Sequence, residues 1–391
     1  MVPASAAGAA TAATYGFLSP FPPTRCGLAT HSLALAQHLH DPDAGERCGI
    51  VHVVDRLRPQ PRQDPTVYLV KGRPGSAAKV IEALNGYEVA IVQHDFDIYG
   101  GPDGEEVLDV IEAVETPVIA VLHTVPASAG EHRHLVLQRV IDASAAVVVL
   151  SQTDAATLRE QYRIDPDRLS VIPRGAAVVN PSRPDRRPSA PGAQTILTWG
   201  LIGPGKGIEH AVAALGYLRD MDPAPRYLVC GQQDPRVEAR QSDTYGDRLL
   251  RIAREHGVED LVTFDPAYRT PGALATLVRR ADVVVLPYEA RERTNSAVLT
   301  EAIAAHRPVV ATRFGYAREL LSDGAGLVVP HRDPEALSRA LRRVLTEPEL
   351  AKSMQARSGQ LAEQLAWPGI AAAFRDVARV VLGHAAPASV S

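Results

Sequence analysis

Short apolar runs alternate with amphipathic segments along most of the chain, from Tyr15 to Val329. Several of the runs are continuous in Val, Ile and Leu, which is typical of strands covered by helices on both faces. In the first half they predict the strands Thr14–Ser19, Cys48–Val54, Thr66–Val70, Glu88–Gln93, Pro117–His123, Ala145–Leu150 and Leu169–Pro173. The helices predicted between them are Leu28–His40, Ser76–Leu84, Gly104–Val114 and Glu131–Ala143. This order predicts a parallel, doubly wound α/β sheet.

A proline-rich, charged stretch over residues 176–193 interrupts the alternation and resembles an interdomain linker. A second alternation follows, with strands at Thr195–Gly200, Arg226–Gly231, Leu261–Asp265, Asp282–Leu286, Pro308–Thr312 and Gly326–Val329. Its helices are Ile208–Arg219, Pro271–Arg280, Ala297–His306 and Pro334–Leu345. We therefore expect two Rossmann-like domains over residues 14–185 and 194–365, after a disordered tail at residues 1–13. Because α/β sheets bind ligands at the carboxyl ends of their strands, two such domains facing each other predict a cleft.

The composition of the chain limits the kinds of molecule that it is expected to bind. A length of 391 residues exceeds what one hydrophobic core usually supports, and the net charge of -4 gives no general attraction to nucleic acid. The cysteines, Cys26, Cys48 and Cys230, are too few for a disulfide framework and fit a reducing compartment. No run of about 18 apolar residues is present, as a membrane span requires. We expect a cytoplasmic protein with small-molecule partners, without nucleic acid or a transmembrane segment; a homodimer is left open.

The strongest local motif is the segment from Thr198 to Ile208, which places four glycines and Lys206 between a predicted strand and a predicted helix. Glycines let the backbone approach an anion closely, and the helix N-terminus offers unpaired N–H groups. Residues 200–206 match the first seven positions of a P-loop, but Gly207 stands where a Ser or Thr must hold Mg²⁺. Diphosphate binding without an obligatory metal is therefore favoured over ATP hydrolysis. A glycine-rich turn with a solvated lysine is the alternative.

Four segments resemble family 4 of the retaining glycosyltransferases, which have the GT-B fold. They are residues 19–30, residues 93–101 with 122–125, the glycine-lysine loop, and residues 296–324. The resemblance implies two Rossmann-like domains facing a cleft, with a C-terminal helix, here residues 366–382, that crosses back to the N-terminal domain. It also implies transfer of a hexose-type sugar from a UDP- or GDP-sugar to a hydroxyl acceptor, with retention and without an obligatory cofactor.

The resemblance also assigns roles to single residues. It implies catalytic roles for His123, beside the donor sugar, for Lys206 and for Glu301, which would accept hydrogen bonds from the ribose. The other donor-binding residues are Gly27, Gly203, Gly205, Arg174, Arg293, Ser296, Ala297 and Val298; Asp95 and Thr124 lie on the acceptor side. Taken as residues alone, Glu301 could instead be a solvated or capping helix glutamate, Ser296 a plain N-cap and His123 a structural histidine.

Three positions depart from the family pattern. Arg293 stands where the first of two glutamates spaced eight residues apart is usual, Leu201 replaces an arginine of the phosphate loop, and Arg174 replaces a histidine. We expect Arg174 or Arg293 to supply the missing positive charge. Two rival classes stay open: a related nucleotide-sugar epimerase or phosphorylase, and a non-catalytic nucleotide-sugar binding protein. His132 with His134 suggests a metal pair, but no third ligand has suitable spacing.

Overall fold

The computed structural model of the protein describes residues 13–24, 26–57, 67–73, 75–178, 192–233, 244–267, 269–290 and 295–385. The chain forms two compact units. The first contains the chain up to Pro173 together with the segment from Trp367, and the second runs from Arg174 to Ala366. Residues 1–12, expected to form most of a disordered tail, and 179–191 of the expected linker lie outside the described residues. Among the residues that the structure describes, we find no helix that combines the length and the hydrophobicity of a membrane span.

The first unit is built on a parallel sheet of seven strands in the order β3-β2-β1-β4-β5-β6-β7. Chain order reverses between β1 and β4, which makes this the switch point where parallel sheets form sites. The strands are β1 Thr14–Ser19, β2 Arg47–Val54, β3 Val67–Val70, β4 Val89–His94, β5 Val118–Leu122, β6 Ala146–Val149 and β7 Leu169–Val171. Its helices are α1 Gly27–Leu39, α2 Ser76–Asn85, α3 Leu108–Ile111, α4 Glu131–Asp142 and α5 Gln152–Gln161. A 3₁₀ turn at Pro166–Arg168 precedes β7.

One helix prediction in this unit was wrong. The segment predicted as Gly104–Val114 forms a 3₁₀ segment at Pro102–Val107 followed by the short helix α3. Asp103 and Gly104 have φ of 52° and 75°, outside the right-handed helical region, so a regular helix starts only after them. Helix α5 was not predicted, although Ser151 caps it by accepting a hydrogen bond from the Asp154 N–H at 3.0 Å.

The C-terminal helix Trp367–Ala385 belongs to the first unit, which confirms the expected return of the chain. Its apolar face carries Ile370 and Phe374, which are buried in one core cluster with Tyr15 and Phe17 of β1. Along β1, β4, β5 and β6, successive residues enter this cluster and the cluster on the opposite face in turn, as the two-residue period of a strand requires. Helices therefore cover both faces of the sheet.

An ion pair also fixes the C-terminal helix. Arg375 donates to both carboxylate oxygens of Glu46, from Nε at 2.8 and 2.9 Å, and its Nη2 donates to the His38 carbonyl at 2.9 Å. We expect Arg375→Ala to lower the free energy of unfolding by about 1–3 kcal/mol, because it leaves a largely buried carboxylate without its partner. Urea unfolding measures the loss. Arg379→Ala is the control, since Arg379 pairs with Asp376 on the solvent-exposed side; equal losses in the two variants would contradict the expectation.

The second unit is built on a parallel sheet of six strands in the order β10-β9-β8-β11-β12-β13. The strands are β8 Thr195–Trp199, β9 Arg226–Cys230, β10 Val262–Asp265, β11 Val283–Leu286, β12 Val309–Thr312 and β13 Gly326–Val329. The helices are α6 Ile208–Gly216, α7 Tyr245–Glu255, α8 Pro271–Arg280, α9 Ala297–Ala304, α10 Gly315–Leu321, α11 Pro334–Thr346 and α12 Pro348–Gln364. The sequence did not predict α7, α10 and α12. The order again reverses beside the first strand, between β8 and β11.

Candidate functional site

The glycine-lysine loop of the second unit leaves the end of β8 and leads into α6. Its first residue, Gly200, has φ of 117°, and its N–H donates to the Cys230 carbonyl at 3.0 Å. Gly231, which follows β9, has φ of 138°, and a Cβ placed there would lie 1.8 Å from the Gly200 carbonyl oxygen. The two backbone segments approach each other so closely that only glycine fits between them. The end of the neighbouring strand therefore holds the backbone of the loop in place.

Gly207, the last residue of the loop, explains the departure from a P-loop. It is the N-cap of α6, with φ of 63°, and a Cβ placed there would lie 1.9 Å from the Pro287 carbonyl oxygen. A serine or threonine therefore cannot occupy this position without moving the segment after β11. Because α6 has no side-chain cap, its first N–H groups can bind an anion from outside the helix.

Lys206 carries the full positive charge of the loop. Its Nζ lies 4.6 Å from the centroid of the Tyr288 ring, within range of a cation–π interaction. Tyr288 is buried and follows β11, and its carbonyl accepts hydrogen bonds from Thr312 Oγ1 at 2.5 Å and His331 Nδ1 at 2.9 Å. The ring therefore sits on a fixed backbone, and the half-buried Lys206 rests on it.

The loop is also tied to the residue after Tyr288. The Glu289 N–H donates to the Gly205 carbonyl at 3.0 Å, and its carboxylate accepts from His210 Nε2 at 3.1 Å and Arg332 Nε at 2.9 Å. These hydrogen bonds lower the pKa of the Glu289 carboxyl, and the bond from His210 has the largest effect. Glu289 therefore fixes both the loop and the first turn of α6.

A second helix N-terminus lies beside the loop. Ser296 caps α9, its buried Oγ accepting a hydrogen bond from the Leu299 N–H at 3.3 Å. A Cβ placed at Gly200 would lie 3.5 Å from Val298 Cγ2, so the first turn of α9 borders the start of the loop. The structure thus brings Ser296, Ala297 and Val298 together with the glycine-lysine loop at the carboxyl edge of one sheet.

Glu301 lies one turn further along α9. Its Oε2 accepts a hydrogen bond from Trp199 Nε1 at 3.0 Å. Burial raises the pKa of this carboxyl, whereas the Trp199 hydrogen bond and the charge of Arg174 oppose the rise. Arg174 is buried and belongs to the same unit. Of the two candidate replacement charges, Arg174 is therefore near Glu301, and Arg293 lies outside the described residues.

The first unit holds the remaining candidates. His123, just after β5, is buried, and its Nε2 lies 2.6 Å from Gln93 Oε1. Its ring packs edge-on against His31 of α1, with centroids 5.3 Å apart. Gly27 is the first residue of α1 and is exposed, and the preceding Cys26 caps the helix through Sγ. His123 and α1 therefore meet at the carboxyl edge of this sheet.

Asp95 and Thr124 also lie together. Thr124 Oγ1 donates to Asp95 Oδ2 at 3.1 Å, and burial raises the pKa of Asp95. His132 instead contacts two acidic side chains, Asp103 at 3.0 Å and Glu105 at 3.2 Å. Within the described part of the chain, no three His, Cys, Asp or Glu side chains are arranged to hold a metal ion.

Sequence reasoning missed the partners of these residues: Trp199 for Glu301, Tyr288 for Lys206 and Gln93 for His123. Trp199 gave one signal, because a tryptophan at a strand end beside a glycine loop needs an acceptor for its indole N–H when buried. The other two contacts join segments 30 or more residues apart in the chain, and no local pattern indicates them.

Two parallel α/β units, the second with a glycine-lysine loop and a helix N-terminus at one sheet edge, define a GT-B fold. Solved structures share it. The Anabaena protein Alr3699/HepE, in complex with UDP and glucose, matches with a TM-score of 0.74 and 15% identity over 94% of this chain and 100% of that one. Sucrose-phosphate synthase of Thermosynechococcus elongatus matches with a TM-score of 0.71 and 20% identity over 95% and 99%. The expected fold is confirmed.

The sequence itself identifies the family. Residues 182–360 match the family model described as "Glycosyl transferases group 1", and residues 26–178 match "Glycosyltransferase Family 4". The chain belongs to this glycosyltransferase family, which confirms the resemblance found in its motifs. The D-inositol 3-phosphate glycosyltransferase of Corynebacterium glutamicum is 30% identical over 256 residues, 62% of this chain and 59% of the relative. That of Thermomonospora curvata is 29% identical over 59% of this chain and 56% of its own length. The match thus spans less than two thirds of these relatives.

Proposed function

We propose that this protein transfers a hexose-type sugar from a nucleoside diphosphate sugar to a hydroxyl acceptor. The observation that carries the proposal is the convergence of Lys206 and the N-termini of α6 and α9 at one edge of the second sheet. Two helix N-termini and a lysine give positive potential without a metal ion. UDP in the complex of the structurally similar Anabaena protein is a ligand of this chemical class.

In the donor site we assign the diphosphate to Gly203, Gly205, Lys206 and the first turn of α9, from Ser296 to Val298. Lys206 would leave the Tyr288 ring for the phosphate, since a phosphate anion attracts an ammonium more strongly than a π-face does. Glu301, held by Trp199, would accept hydrogen bonds from the ribose hydroxyls. Arg174 supplies positive charge near this carboxylate, in place of the arginine that Leu201 replaces.

We assign His123 to the donor sugar, Gly27 to the diphosphate or the acceptor, and Asp95 with Thr124 to the acceptor hydroxyl. Asp95 would hold the acceptor hydroxyl by accepting its hydrogen bond, and burial raises the pKa of this carboxyl. The hydrogen bond with Gln93 fixes the ring of His123.

On this proposal, the main task of the protein in sugar transfer is to stabilise the charge on the leaving diphosphate, and no side chain acts as a nucleophile. Breaking the anomeric C–O bond leaves negative charge on the departing diphosphate, which Lys206 and the helix N-termini stabilise by preorganised dipoles. The departing phosphate oxygen would take the proton of the acceptor hydroxyl, and attack on the same face would give retention. On this proposal no metal is obligatory, and the free thiols of Cys26, Cys48 and Cys230 fit a cytoplasmic enzyme.

We expect turnover in a panel of UDP-, GDP- and ADP-sugars mixed with D-inositol 3-phosphate, inositol and simple sugars. Release of free nucleotide that depends on the acceptor, followed by chromatography, would support a transferase. An isomerised sugar without transfer would support an epimerase instead. Binding of a sugar nucleotide with neither product would mean that the protein only binds its ligand.

A further inference from the structure

Trp199 is the last residue of β8 and directly precedes the glycine-lysine loop. It is buried, in a core cluster that also contains Leu197, Leu286 and Leu299. Its indole Nε1 donates across the sheet edge to Glu301 Oε2 at 3.0 Å. The residue therefore connects the strand that starts the phosphate loop with the second turn of α9.

The carboxylate of Glu301 is engaged on one oxygen. Side chains of a helix point toward its N-terminus, which directs Glu301 toward the cap at Ser296 and the loop. Oε2 accepts from Trp199, whereas Oε1 accepts no hydrogen bond from any residue that the structure describes. A half-buried carboxylate with one oxygen fixed and the other unbonded is oriented for donors that come from a ligand.

We propose that Trp199 is a positioning residue that sets the preference of this site for ribonucleotides. Its indole N–H fixes Oε2 of Glu301, so that Oε1 faces the 2′- and 3′-hydroxyls of the donor's ribose. This inference rests on the proposed function, in which Glu301 accepts from the ribose. A donor lacking the 2′-hydroxyl then leaves the oriented oxygen unsatisfied, which costs affinity.

The alternative is that Trp199 has a purely structural role and only packs in the core. Trp199→Phe separates the two roles, because phenylalanine keeps an aromatic ring in the cluster and loses the N–H. If packing were the whole role, donor binding would follow stability. If positioning is the role, the variant frees Glu301 to rotate, and ribose recognition weakens while binding of the phosphates is retained.

The test uses calorimetric titration of the full chain with the nucleoside diphosphate that binds it most tightly, and with the 2′-deoxy form of that nucleotide. We expect the wild type to prefer the ribonucleotide about tenfold or more. Trp199→Phe should weaken ribonucleotide binding about 5- to 10-fold, leave deoxynucleotide binding nearly unchanged, and raise KM for the donor more than it lowers kcat. Tyr217→Phe is the control, since Tyr217 is an exposed aromatic residue of the same unit.

Trp199 and Trp367 are the two tryptophans of the chain, so the ¹⁵N spectrum of the wild type shows two indole N–H signals. A measurement on these signals does not require Trp199→Phe to fold. The signal that is missing from the spectrum of Trp367→Phe belongs to Trp367, and the other belongs to Trp199. We expect the ribonucleotide to shift the Trp199 signal of the wild type more than its deoxy form does. An unchanged ribose preference in a folded Trp199→Phe, or equal shifts from both nucleotides, would overturn the inference and leave the proposed function standing. Absence of any nucleotide binding to the wild type would overturn the proposed function itself.

Discussion

Lys206→Ala is expected to lower kcat/KM for sugar transfer by about 10²- to 10³-fold, the effect of removing one preorganised group that stabilises a developing anion. The loop from Gly200 to Gly207 contains no other cationic side chain, because Leu201 stands where the family has an arginine. Lys206 lies on the Tyr288 ring without a carboxylate partner among the described residues, so a phosphate does not have to break an ion pair to reach it. Steady-state kinetics with the best donor measures the loss.

Two further variants sharpen this test. Lys352→Ala removes an exposed lysine of α12 in the same unit, paired with Glu349, and should leave the kinetics unchanged. Lys206→Arg should retain part of the activity, because it keeps the charge but not the shape of an ammonium. Full turnover in Lys206→Ala would remove the glycine-lysine loop from the donor site.

Gly207→Ala is expected to lower the free energy of unfolding of the second unit by about 3 kcal/mol or more. The added Cβ would lie 1.9 Å from the Pro287 carbonyl oxygen, and the backbone φ of 63° is itself unfavourable for alanine. The segment after β11 would have to move, and with it Tyr288 and Glu289, which hold the loop. Urea unfolding measures stability, and nucleotide titration measures the accompanying loss of affinity.

Gly272→Ala is the matched control. Gly272 lies in the first turn of α8, and a Cβ placed there has no atom within 4 Å. Alanine should be neutral or stabilise by about 0.5–1 kcal/mol at such a position. The interpretation of Gly207 fails if the two variants unfold alike, since that would mean that the close approach to Pro287 is relaxed at little cost.

The strands were predictable because both sheets are buried on both faces. Every described strand coincides with a predicted one, and the predicted and observed ends differ by at most two residues. Helices were harder. Helix α7, Tyr245–Glu255, was missed although its buried residues Tyr245, Leu249 and Ala253 recur every four positions and Thr244 and Asp247 form a capping box at its start. Helix α12 is rich in helix-forming residues, but its buried residues are Met354, Ser358 and Ala362, which do not make a conspicuous apolar pattern in the sequence.

The donor loop could be predicted from its glycines, its lysine and its place between a strand and a helix. What could not be predicted is the reason for its departures. Gly207 looked like a lost metal ligand, and the Pro287 carbonyl shows that it is a steric requirement. The sequence does not distinguish Glu301 from a solvated helix glutamate, whereas the structure shows that Trp199 donates a hydrogen bond to it. Both explanations depend on contacts between distant segments, which a single sequence does not encode locally.

Calorimetric titration with matched nucleoside mono- and diphosphates shows whether the second unit binds a nucleoside diphosphate through this loop. We predict that UDP or GDP binds at least about tenfold more tightly than its monophosphate, because the second phosphate reaches Lys206 and the helix N-termini. The preference should disappear in Lys206→Ala. Equal affinity for mono- and diphosphates, or no binding of any nucleotide by the wild type, would mean that the loop does not bind a diphosphate.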